Sequence, residues 1–381
     1  MLLLMLQYFV IYYFNKPLGA VQVFTKLLVA VFYLFSLKTV LNRNKLFLIF
    51  TYSITIIIFL LNLLLFPDNK SELVQTIFPF FLISLPSFIY AYSILDKVTF
   101  VKYTEIVGML IYLIGIITGL LIYIGKISID NYSMSYSYYL LLPTTIYFKK
   151  VLESYSPKYI VLFSISLILI LTYGSRGPIL SLAVFLVLYQ LMNLKKITNF
   201  KLISNFLLFV LLLLFSIFFE KVVIYFNDTL DQLGIRSRTA ILFMQDEVRT
   251  SGRESIYSKV INGVINNPFI GNGIAGDRVI NSNIENAKYS HNIAIEILSS
   301  FGIIAGSIII VLLFIIAYLS LFKIEREDSN FLLIWFVVGF VPLFVSSSFL
   351  IYFQFWIYLG LTMKYLKISN IKNHIKSNKN P

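Results

Sequence analysis

The stretch LFLIFTYSITIIIFLLNLLLF (Leu46–Phe66) runs for 21 residues without an Asp, Glu, Lys or Arg. As a helix it is about 31 Å long, close to the thickness of a bilayer's hydrocarbon core. Apolar side chains point in every direction around it, so water cannot be its solvent. Lys38, Arg43 and Lys45 separate it from a second apolar run, Leu18–Leu37. This pair, two spans joined by a short cationic connection, sets the pattern for the whole chain.

The composition agrees. Of 381 residues 59% are hydrophobic and only 13% charged, with mean hydropathy +0.85. Soluble domains carry about 25% charged residues. Lipid is therefore the solvent for most of the surface. The chain has no cysteine, which removes disulfides, thiolate nucleophiles and cysteine metal sites from consideration. The net charge of +13 would suggest nucleic acid in a soluble protein. Here its distribution follows membrane topology, and no nucleic-acid partner is expected.

Further apolar runs are Leu2–Phe14, Leu73–Leu95, Ile106–Ile124, Tyr132–Phe148, Tyr159–Tyr173, Pro178–Met192, Leu202–Phe219, Ile293–Phe322, Phe331–Val345 and Phe349–Leu366. The expectation is an all-α, polytopic integral membrane protein of about 12 transmembrane helices. Residues 1–381 read as a single membrane domain. Leu2–Phe14 lacks a basic region before it and reads as a retained first span rather than a signal peptide.

Cationic residues orient the spans. With both termini in the cytoplasm, the inner segments hold Lys38, Arg43, Lys45, Lys97, Lys102, Lys149, Lys150, Lys158, Lys195, Lys196, Lys201, Lys323 and Arg326. The basic tail, residues 367–381, adds more. The short outer loops hold only Lys16, Lys70, Lys126 and Arg176. One polar segment, residues 227–290, falls outside by this topology. Loops of that length are usually functional. It gathers Asp228, Asp231, Asp246, Glu247, Glu254, Asp277 and Glu285 with Arg236, Arg238, Arg249, Arg253 and Arg278.

Within the loop, Ser251-Gly252-Arg253-Glu254 fits a capping box. Ile256, Tyr257, Val260, Ile261, Val264 and Ile265 follow at helical spacing until Pro268. This predicts a short amphipathic helix at the membrane surface, with Arg253 in its first turn. Gly271-Asn272-Gly273-Ile274-Ala275-Gly276 matches G-x-G-x-x-G but lacks the strand before and helix after that a dinucleotide site needs. It reads as a turn permitting close backbone approach.

Two histidines occur. His374 lies in the basic tail and reads as inert. His291 follows Ser290 at the mouth of a span, near a helix N-terminus that favours the neutral imidazole. It is a general base or an interfacial residue that caps the span, and position alone weighs the two equally. Arg176, in Tyr173-Gly174-Ser175-Arg176-Gly177-Pro178, sits in a tight outer turn. A charge so near the hydrocarbon favours function over snorkelling to headgroups. Arg236, Arg238, Arg249 and Arg278 include structural partners of the loop's acids. Lys26, mid-span, faces a polar cavity, is paired, or snorkels. Glu296 stands about 140° round a helix from His291, which argues against a shared metal site or dyad. There is no H-E-x-x-H, P-loop or G-x-S-x-G.

The Ser175–Gly177 turn opening a span, Gly252-Arg253, Asn267-Pro268-Phe269-Ile270-Gly271-Asn272-Gly273, His291-Asn292 and Phe301-Gly302-Ile303-Ile304-Ala305-Gly306 together resemble the O-antigen ligase and polymerase superfamily. These are the membrane glycosyltransferases of Wzy and WaaL type. The resemblance runs from about Tyr159 to Val345. It implies a GT-C-like helical fold with a large outer loop. It implies metal-independent, inverting glycosyl transfer, without a cofactor, from an undecaprenyl-pyrophosphate-linked sugar. On that analogy Arg176 and Arg253 hold the donor pyrophosphate and stabilise its departure, since guanidinium binds phosphate oxygens in pairs. Gly271, Gly273, Arg278 and Asn292 join them in substrate binding. His291 takes the acceptor hydroxyl's proton.

Three functions fit to different degrees. A polymerase joins lipid-linked repeat units of O-antigen, capsule or exopolysaccharide, with a chain-length regulator as candidate partner. A ligase transfers finished polymer to lipid A core or another acceptor. A lipid-linked oligosaccharide flippase fits less well, because no internal repeat is visible and only Lys26 is charged midway along a span. The polymerase is preferred because polymerases are sequence-diverse and the N-terminal spans carry no shared motif.

Overall fold

The computed structural model describes residues 1–14, 18–124, 126, 134–173, 176–193, 225, 229, 232, 253–283 and 289–377. Among these the fold is helical throughout, with no strand. Each apolar run identified above is helical over most of its described residues except Leu202–Phe219, which falls outside the described residues. Five described helical stretches are long and apolar enough to cross a membrane: Gly19–Leu65, Pro67–Ser93, Lys97–Ile122, Ile293–Phe322 and Arg326–Phe344.

Two compact units divide the chain: residues 1–22 with 101–249, and residues 23–100 with 250–381. The first contains α1 (Leu2–Phe14), most of α5 (Lys97–Tyr123), α6 (Met134–Ser154), α7 (Pro157–Thr172) and α8 (Arg176–Asn193). Its centre is α6. Tyr136, Leu140, Leu141 and Phe148 on this helix are all buried. Two of its threonine hydroxyls are satisfied within the helix. Thr144 and Thr145 donate back to the carbonyls of Leu140 and Leu141, each at 2.7 Å. Lys150 pairs with Glu105 at 2.9 Å.

The second unit contains α2 (Leu18–Leu65) from Val23 onward, α3 (Lys70–Pro79), α4 (Leu85–Ser93), α9 (Arg253–Asn266), α10 (Gly276–Asn281), α11 (Ile293–Phe322), α12 (Arg326–Gly339) and α13 (Phe353–Ser377). The runs Leu18–Leu37 and Leu46–Phe66 form one helix broken at Asn44, whose φ of −140° and ψ of 39° are not helical. The arms fold back on each other. Ala30, Leu34 and Leu37 from one and Leu48 and Tyr52 from the other line a shared apolar cavity. Phe35 is 79% exposed and Leu46 82% exposed, a surface only lipid can cover.

Between α3 and α4 a π-helical turn, Phe80–Ser84, follows Pro79. Its rings pack on Phe59 at 5.2 Å between centroids, and Tyr52 donates to the Phe81 carbonyl at 3.2 Å. The core here joins Phe59, Leu73, Phe80, Phe88 and Ile89 to Ile274 and Leu350. At one end of this unit, Lys97 meets Glu327 at 2.9 Å and Asp328 at 2.5 Å, and Asn44 meets Ser93 at 2.9 Å. The far end of α2's second arm lies about 30 Å away, where the polar cluster described next is built.

Candidate active site

The cluster begins with an interruption of α11. Gly302 has φ 77° and ψ 178°, a conformation essentially restricted to glycine. The break frees the carbonyl of Ser299 and the amide of Ile303, and both find partners in the preceding loop. Asn272 N donates to Ser299 O at 2.6 Å, and Ile303 N donates to Pro268 O at 2.7 Å. Gly271 (φ 76°) meets the break face to face. A Cβ there would lie 2.5 Å from Gly302 N, and one on Gly302 would lie 2.5 Å from Phe269 O. The Asn-Pro-Phe-Ile-Gly-Asn-Gly loop is thus docked backbone to backbone into a notch in α11. The segment from Gly302 to Phe322 is itself about 31 Å long, enough to cross the hydrocarbon core.

The continuation of this loop is clasped from the end of α2 and the turn that follows it. Ile274 N donates to Asn62 Oδ1 at 2.7 Å, and Asn62 Nδ2 donates to Ile274 O at 3.4 Å. Asn69 Nδ2 donates to Asn272 O at 2.7 Å and to Ile274 O at 3.2 Å. Gly273 lies against Phe66, where an added Cβ would come within 2.5 Å of the ring. The turn launches α10, whose Asp277, Arg278 and Asn281 are buried.

Arg278 Nη2 donates to Ser348 Oγ at 3.0 Å and lies 3.9 Å from Glu296 Oε1. Ser348 Oγ donates to the same carboxyl, which also accepts from Phe349 N at 3.2 Å. Asp277 Oδ1, Arg278 Nε and both amide atoms of Asn281 are buried without a hydrogen-bond partner among the described residues. Two of these residues carry charge, and with Glu296 they form a polar interior beside a membrane span, where ionisable groups tend to be functional.

His291 stands next to this interior. Its φ is 52°, unusual for a residue with a side chain. Its ring packs on Tyr289 with centroids 4.2 Å apart. Nδ1 lies 3.2 Å from Ser346 O, and Tyr289 OH donates to that same carbonyl at 3.0 Å. A carbonyl can only accept, so this bond requires the proton on Nδ1. The neutral ring then carries its lone pair on Nε2. Burial pushes the imidazole below its ordinary value of 6.5. The Arg253 charge acts in the same direction, while Ser346 O and Asp277 oppose it.

Arg253, Gly271, Gly273, Arg278, His291 and Asn292 therefore come together in one unit. Arg253 is half-buried in the first turn of α9, and its charge is felt at His291. Asn292 caps α11, Oδ1 accepting from Ala294 N at 3.0 Å and Ile295 N at 3.3 Å. Arg176 is the first residue of α8, in the other unit. Ser251 and Gly252 of the capping box, and Arg236, Arg238 and Arg249, lie outside the described residues. The amphipathic helix is present: α9 buries Ile256, Val260 and Val264 and leaves Ile261 and Ile265 exposed. The glycine turn does approach backbone closely, and what it approaches is α11 of the same chain. Sequence reasoning missed Asn62, Asn69, Glu296 and Ser348. An acid inside an apolar span was the available signal for Glu296. A lone Asn in an otherwise apolar run was the signal for Asn62.

Fold and site together define a polytopic helical membrane protein with a buried polar cluster where a docked loop meets a broken helix. Residues 160–310 match the family model Wzy_C, described as O-antigen ligase. This supports the O-antigen ligase and polymerase superfamily and implies a glycosyltransferase-like enzyme. No curated protein and no solved structure matches the chain.

Proposed function

We propose that this chain polymerises undecaprenyl-pyrophosphate-linked repeat units into O-antigen, capsule or exopolysaccharide at the outer face of a bacterial inner membrane. The observation that carries the reading is His291. Its Nδ1 proton is committed to Ser346 O, which leaves Nε2 to act as base, and its depressed pKa keeps the ring neutral near neutral pH. In the reaction, the acceptor hydroxyl oxygen bonds to the anomeric carbon of the donor. The bond from that carbon to the pyrophosphate oxygen breaks. The hydroxyl proton passes to Nε2, and the lipid pyrophosphate leaves with the electron pair. Arg253 holds that anion, and no metal is required. Attack in one step inverts the anomeric centre. Arg278, Asn292, Gly271 and Gly273 shape the substrate's surroundings. The exposed row Ile261, Ile265, Phe269 and Ile270 rests on the outer leaflet.

A ligase reading has the family description in its favour. Both are tested by deleting the gene in its host and complementing with wild type, His291→Ala or Arg253→Ala while resolving surface polysaccharide by length. Single repeat units in place of long chains, unrescued by either variant, support the polymerase. Long polymer left on the lipid carrier supports the ligase. Repeat units trapped on the cytoplasmic side exclude both and point to a flippase. Inhibition by chelator, reversed by a divalent ion, rules out metal-free transfer.

A further inference from the structure

We propose that Asp277 is the positioning residue for His291. The inference rests on the reading of His291 as the base but concerns a different residue and a different contact. Asp277 Oδ2 accepts two hydrogen bonds from the residue immediately before the histidine, one from Ser290 N at 2.8 Å and one from Ser290 Oγ at 2.6 Å. Asp277 and Ser290 are both fully buried, so neither bond competes with solvent.

The two bonds fix the backbone of Ser290. His291 follows in a left-handed conformation, φ 52°, which is strained for a residue with a Cβ and persists only where the surroundings impose it. On its other side, Asn292 is held by capping α11. His291 is thus the strained middle residue of three, pinned through Ser290 on one side and Asn292 on the other. Its ring is then delivered to Ser346 O.

Asp277 is itself well anchored. It is the second residue of α10, and the turn before it is clasped by Asn62 and Asn69. A continuous line of hydrogen bonds and short backbone therefore runs from α2 through the glycine turn to the imidazole. The arrangement resembles the way outer partners orient a working histidine elsewhere, but here the carboxylate grips the neighbouring backbone instead of the ring. The charged and titratable groups around this corner are Arg253 from α9, Asp277 and Arg278 from α10, Glu296 from α11 and Tyr289 beside the ring.

The chain's two histidines make a direct test practical. Full-length protein in nanodiscs, labelled with ¹⁵N-histidine in a His374→Ala background, presents one imidazole to NMR. With Asp277 intact, a single tautomer protonated on Nδ1 is expected. Asp277→Ala releases Ser290 and gives a mixture of tautomers. In the complemented deletion strain, long polymer falls on the order of 100-fold. Asp277→Asn keeps an acceptor oxygen, so it retains the tautomer and most of the polymer. Its titration midpoint moves still further below 6.5, because the carboxylate that raised it has gone. A purely structural role would not separate these two variants in this way.

Ser290→Ala loses one bond of the two and falls between them, with polymer down about tenfold. An unchanged tautomer and wild-type polymer in Asp277→Ala overturn the proposal. So does an Asn variant that behaves like the Ala variant. If Asp277→Ala does not fold, Ser290→Ala decides alone, and a wild-type tautomer and polymer there refute the positioning role. Full-length polymer from His291→Ala instead defeats the catalytic reading of His291 while leaving the tautomer result standing.

Discussion

Two long helices in the same unit are broken, and they are broken for different reasons. In α2 the break is Asn44, flanked by Arg43 and Lys45, and its side chain bonds to Ser93 Oγ at 2.9 Å. In α11 the break is Gly302, and the backbone groups it frees are taken by Asn272 and Pro268 from a docked loop. The first break turns the chain around, and charge marks it in the sequence because such a turn sits in headgroups or water. The second break receives another segment, and it is marked by a glycine on each partner because two backbones cannot meet across a Cβ. A charged break therefore signals topology, and a paired-glycine break signals a built site.

The largest effect should come from closing the second break. Gly302→Ala sets a methyl 2.5 Å from Phe269 O in a conformation that side chains avoid. A loss above about 4 kcal/mol is expected, with the loop undocked and no polymer made. Gly271→Ala, aimed at the same contact from the other side, should match it. Thermal unfolding in detergent and complementation check both. A stable, active Gly302→Ala would erase the distinction between the two breaks.

Next in size is the buried pair beneath the docked loop. Glu296→Ala leaves Arg278 buried without its carboxyl partner and should cost about 3 kcal/mol. The double variant Arg278→Leu with Glu296→Leu should recover much of that stability, since an apolar pair removes both desolvation costs. Recovery of stability without recovery of polymer would assign the pair to substrate handling as well as to packing. Unfolding midpoints of the two singles and the double give the coupling.

Asn62→Ala and Asn69→Ala test the clasp on the glycine turn. Each strands buried backbone groups of the turn and should cost about 1–3 kcal/mol. Loss of polymer is expected to exceed what the stability change explains, because α10 and its charges depend on the turn. Polymer yield compared with folded protein in the membrane separates the two effects.

These residues also mark how far the sequence could be read. The helices were legible because apolar runs of span length have few alternatives, and cationic residues separated one from the next. The docked loop was legible as a tight turn, since Pro268, Gly271 and Gly273 permit little else. Its partner was not. Nothing local to Gly302 says which distant backbone it meets, and Asn62 is 212 residues from Ile274 along the chain. Glu296 was visible as an acid in a span but was compared only with His291, on its own helix. Its partners Arg278 and Ser348 come from other elements. Periodicity reports what one helix does, whereas the cluster depends on contacts between elements.

A smaller and sharper effect concerns pH. His291 must be neutral to accept a proton, and burial with Arg253 holds its pKa below 6.5. The acidic limb of polymer formation should therefore lie below 6.5, with activity lost as pH falls through the folded-state value. Arg253→Lys keeps the charge and should leave the limb nearly in place. Arg253→Gln removes a charge that lowers the pKa, so the His291 titration followed by ¹⁵N NMR should move up toward 6.5. A titration that ignores Arg253 would separate the arginine from the histidine.

The smallest effect is expected at the first break. Asn44→Ala removes one partly buried hydrogen bond, to Ser93, and should cost about 1 kcal/mol. The turn should survive because other contacts hold the two arms. Tyr33 OH and Ser87 Oγ are 2.7 Å apart, and Phe47 stacks on Tyr92 at 4.2 Å. Polymer length and amount should stay at wild-type levels, since Asn44 lies about 30 Å from the loop-docked end of the unit. Adding a second change, Arg43→Ala with Lys45→Ala, should disturb topology more than stability, because those charges hold the turn on its side of the membrane. Accessibility labelling of a cysteine placed at Asn44 reads that directly, the native chain having none. If instead Asn44→Ala alone abolishes polymer while the protein remains folded, the charged break is coupled to the site, and charge at a helix break can no longer be read as topology alone.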